Sequence, residues 1–155
     1  MGKACSLAES EITFELPIDQ EKVAKFAHAV GESAPVYFDQ EAAMERGLPG
    51  PIAPPTFTVT QIFQVPREER ETRLGSGLEY SRVLHGEQEF VYTRLPLVGE
   101  VLKGRMRVSK DFVKEGKRGG SMRFVTYETR FVDGDGEEVL SGHYTLIETA
   151  KDPGS

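Results

Sequence analysis

Proton transfer and nucleophilic attack need imidazole, thiol, carboxylate or phenol groups held within reach of one another, and this chain is poor in the first two. Its histidines are His28, His85 and His143, and its one cysteine is Cys5. Three scattered imidazoles and one thiol lack metal-ligand spacing, so neither a metal site nor a cofactor is expected. A lone cysteine forms no intrachain disulfide and fits a reducing compartment, and its place near the terminus argues against a catalytic thiol. His143 alternates with Val139, Ser141, Thr145 and Ile147, the spacing of a packed strand face, and His28 need not share the buried stripe of its helix. Cations are more concentrated. Residues 101–130 carry nine Lys or Arg against three acids, a stretch that either solvates a sheet face or meets a phosphorylated ligand or an acidic carrier protein. Strand alternation puts Lys103, Arg105 and Arg107 on one face, which makes them the candidates for phosphate contact. The formal net charge of −6 argues against general nucleic-acid binding, which needs a basic surface.

The elements that must hold such groups read clearly in places. Asp19 is a natural N-cap for a helix through Val30, with Val23, Phe26, Ala27 and Val30 on one stripe and Gly31 as its stop. A second short helix runs from Asp39 through Arg46 and closes at Gly47. The prolines of Leu48–Pro55 exclude regular helix and central strand there and make a rigid approach segment. Residues 56–65 follow, apolar nearly all round; the Pro-Pro start suits a buried helix, although local propensity alone allows a strand. Pro66–Gly77 is polar and poorly patterned. Beyond it, 81–93, 100–113, 121–132 and 138–148 are rich in Val, Phe, Tyr and Thr, and turn chemistry falls at Val98-Gly99, Glu115–Gly120 and Asp133–Gly136. These predict antiparallel strands joined by hairpins, hence an α+β domain over residues 10–148, with a flexible 1–9 and a disordered 149–155. No run reaches the length of a membrane span and no signal-peptide core is present, so a cytoplasmic location is expected.

Two blocks are more specific. Phe26-Ala-His-Ala-Val-Gly31-Glu-Ser-Ala-Pro35-Val-Tyr37-Phe-Asp39 followed by Gly50-Pro-Ile-Ala-Pro-Pro-Thr-Phe57 resembles the N-terminal MaoC-type dehydratase domain. Leu84-His-Gly-Glu-Gln-Glu-Phe90-Val-Tyr92-Thr-Arg94 with Gly99-Glu-Val-Leu102 is a second match. The resemblance implies a hot-dog fold, an antiparallel sheet wrapped around a long central helix, here about 55–64. It also implies that two such units pair to build acyl-thioester sites, with the acyl chain beside that helix at Pro54, Pro55, Thr56 and Phe57. Active members of the family hydrate a trans-2-enoyl thioester or dehydrate a (3R)-hydroxyacyl thioester with an Asp and a His, one moving the α-proton while the other handles water or hydroxyl. A backbone N–H at the start of the central helix steadies the developing enolate.

This chain departs from that pattern at each reacting position: Glu32 stands for the Asp, Ala34 for the following Asn, Tyr37 for the His, and Pro55 for the glycine that begins the helix. Tyrosine titrates near pH 10 and is a poor base at neutral pH, and Pro55 has no N–H, leaving Thr56 N–H as the substitute. His85 matches the family's Leu-His-Gly string and is the remaining imidazole candidate. The resemblance therefore leaves three readings. One is an acyl-CoA- or acyl-carrier-protein-binding subunit whose partner chain supplies Asp and His. Another is a self-sufficient homodimeric enoyl-CoA hydratase using Glu32 with Tyr37 or His85. The third is a hot-dog thioesterase or acyl-CoA-binding module.

Overall fold

The computed structural model describes residues 10–116 and 120–150. Expectations for residues 1–9, Cys5 among them, for Lys117 and Arg118, and for residues 151–155 lie outside the described residues.

Alternation of Ile12, Phe14 and Leu16 with Thr13 and Glu15 builds a strand the turn signals did not reveal, β1 (Ile12–Pro17). Helix α1 (Gln20–Ala29) follows, and Asp19 caps it by accepting from Lys22 N–H at 3.0 Å. Val23 and Ala27 are buried as its stripe predicts, whereas Val30, at the helix end, is 51% exposed. Helix α2 (Gln40–Glu45) is capped by Asp39 in the same way, through Ala42 N–H. Residues 66–77 prove structured, with α3 (Arg67–Leu74) held on its outer side by the Arg73–Glu69 pair. Its sequence hid the helix because nearly every position is charged, leaving the hydrophobic periodicity no apolar stripe to show.

The strands β2 (Val83–Tyr92), β3 (Val101–Glu115), β4 (Ser121–Val132) and β5 (Glu138–Thr149) complete one antiparallel sheet in the order β1-β3-β4-β5-β2. One face packs against the helices. Leu16, Leu102, Phe131 and Leu140 meet Val23 of α1 and Phe57 there, while Ile12, Met106, Val125 and Tyr127 form a second cluster under Leu74 and Leu78. Gly104 sits mid-strand because Phe14 lies across it: a Cβ there would come within 2.4 Å of the Phe14 ring, so any side chain would displace the ring from its edge-on contact with Phe131.

The central segment is helical, not a strand, but it is a seven-residue 3-10 helix over Phe57–Phe63 rather than a long α-helix. Its β-branched and Thr-rich sequence favours neither a full α-helix nor burial on all sides. Phe57, Thr58 and Gln61 face inward, while Ile62 and Phe63 are 48% and 77% exposed.

From β2 the chain must cross to β3 on the far side of the β4–β5 hairpin, and Arg94 makes that crossing rigid. Its guanidinium donates to both Glu100 oxygens, at 3.0 and 2.7 Å, and to Asp133 Oδ2 in the β4–β5 turn at 3.0 Å. Glu100 also accepts from Leu97 N–H, and Asp133 Oδ1 from the N–H groups of Asp135 and Glu137. Arg94→Ala should therefore lower the unfolding free energy by about 2 kcal/mol, the scale of charge-assisted hydrogen bonds, with Arg94→Lys intermediate. Urea denaturation checks this, and a loss under about 0.5 kcal/mol would deny the clasp a stabilising role.

A second anchor holds α3 over the sheet. Glu71 accepts from Ser76 Oγ at 2.6 Å, Tyr80 OH at 2.7 Å and Gly77 N–H at 3.2 Å, and Tyr127 OH donates to Ser76 Oγ at 2.7 Å. Burial pushes the Glu71 carboxyl up, but the Ser76 and Tyr80 hydroxyls with the N–H groups of Gly77 and Leu78 outweigh it and hold the carboxyl below its ordinary range. A carboxyl whose folded pKa is depressed stabilises above the unfolded pKa and loses that contribution as the pH falls through the folded one. The stability gap between wild type and Glu71→Ala should be widest at neutral pH, about 1–3 kcal/mol, and should narrow on acidification below about pH 4. Chemical denaturation at a series of pH values reads it, and a gap independent of pH would contradict the ionised anchor.

Candidate functional site

Both helix ends that flank Tyr37 stop by the same device. Gly31, at φ +80°, donates to His28 O at 3.1 Å and Glu32 N–H donates to Ala27 O at 2.8 Å, the paired bonds of a Schellman motif. Gly47 and Leu48 repeat it at the end of α2 through Met44 O and Ala43 O. Glu32 is thus fixed by its backbone while its side chain stays exposed. Pro35 then opens a single 3-10 turn, Pro35–Tyr37, in which Tyr37 N–H donates to Ala34 O and Phe38 and Asp39 N–H to Pro35 O.

Tyr37 is half-buried against the cluster of Val36, Ala43 and Ile52. Burial pushes its phenol up, and the nearby Glu32 charge pushes it further, against an opposing pull from Arg46. The hydroxyl therefore stays protonated at neutral pH and can donate a hydrogen bond but not act as a base. Of the candidates from the sequence, Glu32 stands near enough for its charge to act on the Tyr37 phenol.

The approach segment is braced from the β2–β3 crossing: Ala53 N–H donates to Pro96 O and Val98 N–H to Pro51 O, with Ile52 bridged to Leu97. It delivers Pro54 and Phe57 into the interior and leaves Pro55 and Thr56 exposed. Phe57 N–H is taken by Pro54 O at 2.9 Å, whereas no hydrogen bond among the described residues engages Thr56 N–H. In a 3-10 helix side chains three apart eclipse, so Thr58 and Gln61 point the same way. Thr58 Oγ1 and Gln61 Oε1 are buried there without a protein hydrogen-bond partner, as is Thr129 Oγ1.

The remaining candidates stand elsewhere. His85 is exposed on β2 and stacks on Tyr144 at 6.4 Å, beside the second core cluster. Among the described residues no hydrogen bond or ion pair joins it to Glu32 or Tyr37. His28 is exposed and stacks on Phe38 at 5.1 Å. His143 lies on the outer sheet face, its Nδ1 3.4 Å from Glu89 Oε2.

Lys103, Arg105 and Arg107 share an exposed outer face, alternating with buried Leu102, Gly104 and Met106. That is the side away from Phe57 and α1. Arg107 is also engaged by Glu128 at 2.8 Å, as is Arg130 at 2.6 Å. Burial pushes the Glu128 carboxyl up, and the two guanidinium groups more than reverse it. Arg123 is held by Asp111, so three of the nine cations of the basic stretch, Arg107, Arg123 and Arg130, are ion-paired to carboxylates within it. The Arg94 clasp was signalled in the sequence only by opposite charges six residues apart across Pro96 and Gly99.

Residues 9–141 match the FAS1-like, dehydratase domain region family. The UPF0336 protein of Clavibacter michiganensis is 38% identical over 137 residues, 84% of this chain and 83% of that relative. The UPF0336 protein of Saccharopolyspora erythraea is 34% identical over 138 residues, 88% and 85% of the two chains. Among solved structures, a MaoC-like dehydratase superposes at TM-score 0.76 and 25% identity over 96% of this chain and 45% of that one. The HadBC (3R-hydroxyacyl-ACP dehydratase) complex of Mycobacterium tuberculosis gives 0.69 at 24% identity over 89% and 96%. The ChsH1-ChsH2 complex of the same organism gives 0.71 at 22% identity over 94% and 86%, and these last two similarities speak for the fold. With its antiparallel sheet, Pro-Pro approach and Gly31–Tyr37 turn, the chain belongs to the FAS1-like dehydratase-region family and has the α+β hot-dog fold of MaoC-like dehydratases.

Proposed function

We propose that this chain is the acyl-thioester-binding, non-catalytic subunit of a (3R)-hydroxyacyl-thioester dehydratase, acting beside a second hot-dog chain that carries the Asp and His. The observation that carries this reading is the state of Tyr37. A phenol pushed up by burial and by Glu32 occupies the place of the family's imidazole, and proton abstraction at neutral pH is closed to it. Its hydroxyl can still donate to a thioester carbonyl, and the exposed Thr56 N–H offers a second donor where Pro55 has none.

The sheet supplies the means of pairing. It is open at β2, whose exposed Leu84 and Val91 flank backbone groups that a second strand would satisfy. Two of the similar solved structures are complexes of two different chains by name, which supports a heteromer over a homodimer. CoA and carrier-protein thioesters both fit the reading. Lys103, Arg105 and Arg107 are left out of the thioester contacts, because the sheet stands between their side chains and Tyr37 and Glu128 already holds Arg107.

In a purified complex with the catalytic chain, Glu32→Gln and Tyr37→Phe should leave kcat nearly unchanged. Tyr37→Phe should raise KM by roughly fivefold, the cost of one hydrogen bond. Loss of turnover in either variant, with the complex intact by gel filtration, would place the chemistry in this chain instead.

A further inference from the structure

Strand β3 outruns the strand beside it. It extends over Val101–Glu115, but β1 pairs with it only from Val101 to Met106. From Arg107 onward β3 is bonded to β4 on one side, and no hydrogen bond among the described residues engages its backbone on the other. This open stretch lies at the opposite side of the sheet from β2. A row of unpaired N–H and C=O groups is a template for one more strand.

A bulge between Val108 and Lys110 moves the alternation by one residue, so Lys110, Phe112 and Lys114 share the outer face here, bordering a hollow of about 550 Å³. Phe112 stacks on Phe124 of β4 at 5.2 Å yet stays 38% exposed, and Val113 on the other face is 60% exposed. Neither ammonium meets a carboxylate among the described residues. Lys114 lies over the Phe112 and Phe124 rings, 5.2 and 5.5 Å from their centroids, and Asp111, between the two lysines in sequence, is held by Arg123. Of the acids lining the same hollow, Glu128 is taken by Arg107 and Arg130, while Glu87 and Glu89 stand on β2, across β4 and β5.

Charge selects the strand that can dock. A second copy paired antiparallel about Phe112 would set Lys110 opposite Lys114 twice, and like charges directly opposite are destabilising. A strand with carboxylates at those two positions meets attraction at both. Edge lysines alone guard against self-pairing, but a strand guarded against every partner would not also expose Phe112 and Val113. We propose that the outer half of β3 receives an extended acidic segment of a partner protein, added as a strand, with an aromatic residue opposite Phe112 and a carboxylate two residues to each side, opposite Lys110 and Lys114. This pattern reads the same in both chain directions. Backbone hydrogen bonds supply the affinity, and the three outer-face side chains supply the choice of partner. The edge shares no residue with Glu32, Tyr37 or the central segment, so it stands whether or not the thioester reading does.

A dye-labelled, amidated peptide of sequence Ser-Thr-Glu-Thr-Phe-Thr-Glu-Thr-Ser, titrated with the full-length chain and followed by fluorescence anisotropy, tests the edge. It should bind saturably. Lys110→Glu combined with Lys114→Glu should weaken it by roughly tenfold at low salt, the difference shrinking as salt rises, and a peptide with lysine in place of both glutamates should prefer that double variant to wild type. Phe112→Ala should weaken the parent peptide by about threefold, and the peptide methylated at its backbone nitrogens should not bind. Thermal melts confirm that each variant is folded. Equal affinity of wild type and the double variant at low salt would overturn the proposal, as would undiminished binding of the methylated peptide or the absence of saturable binding. Displacement by an oligothymidylate as readily as by unlabelled peptide would make the edge a nucleic-acid site instead. A peptide-free chain whose mass falls in the double variant would make the occupant a second copy, and either result sinks the acidic strand.

Discussion

The Arg94 guanidinium, shared between Glu100 and Asp133, fixes the point where three parts of the chain meet. It rigidifies the β2–β3 crossing beneath the β4–β5 turn, and that crossing in turn supplies Pro96 O and Val98 N–H to the approach segment. The crossing thereby helps set where Ala53 approaches the sheet and where Phe57 enters the core. A forked, planar donor suits this better than a lysine, since one group must satisfy two carboxylates in different directions. Asp133 is held below its ordinary range chiefly by that guanidinium, so the clasp stays ionised across the neutral range.

From that fixed frame the site follows by short, local devices. Two Schellman motifs and one proline-started turn place Glu32 and Tyr37, and Gln20 Nε2 donates to Tyr37 O at 3.1 Å. In the proposed reading the chemistry left to them is recognition: an exposed carboxylate and a protonated phenol can orient a carbonyl, while an Asp and a His on the second chain divide proton removal and water delivery. Within the central segment Gln61 Oε1 is buried without a protein hydrogen-bond partner, a polar group turned into an otherwise apolar interior.

What could be read from residues alone was governed by how local the cause was. Asp19, Asp39, Gly31 and Gly47 act on their nearest neighbours, and the helix limits they set agree with the structure. The β3–β4–β5 hairpins were legible for the same reason. Strand β1 was not, because it pairs with β3 about ninety residues away and no turn announces it. Helix α3 was hidden by its charges, and the central segment was misjudged in type and length because its Pro-Pro start was given more weight than its β-branched, Thr-rich sequence. The Lys103, Arg105 and Arg107 face followed from alternation, but the ion pair that occupies Arg107 comes from β4, and one-strand periodicity holds no information about it.

The account rests on one separation, that this chain binds the thioester and does not transform it. Isolated chain at high concentration, mixed with crotonyl-CoA and longer enoyl-CoAs, can be followed for loss of the enoyl absorbance while binding is measured on the same sample. Saturable binding with no hydration, and turnover only after a chain carrying the Asp and His is added, is the predicted result. Hydration of any of these thioesters by the isolated chain would contradict it.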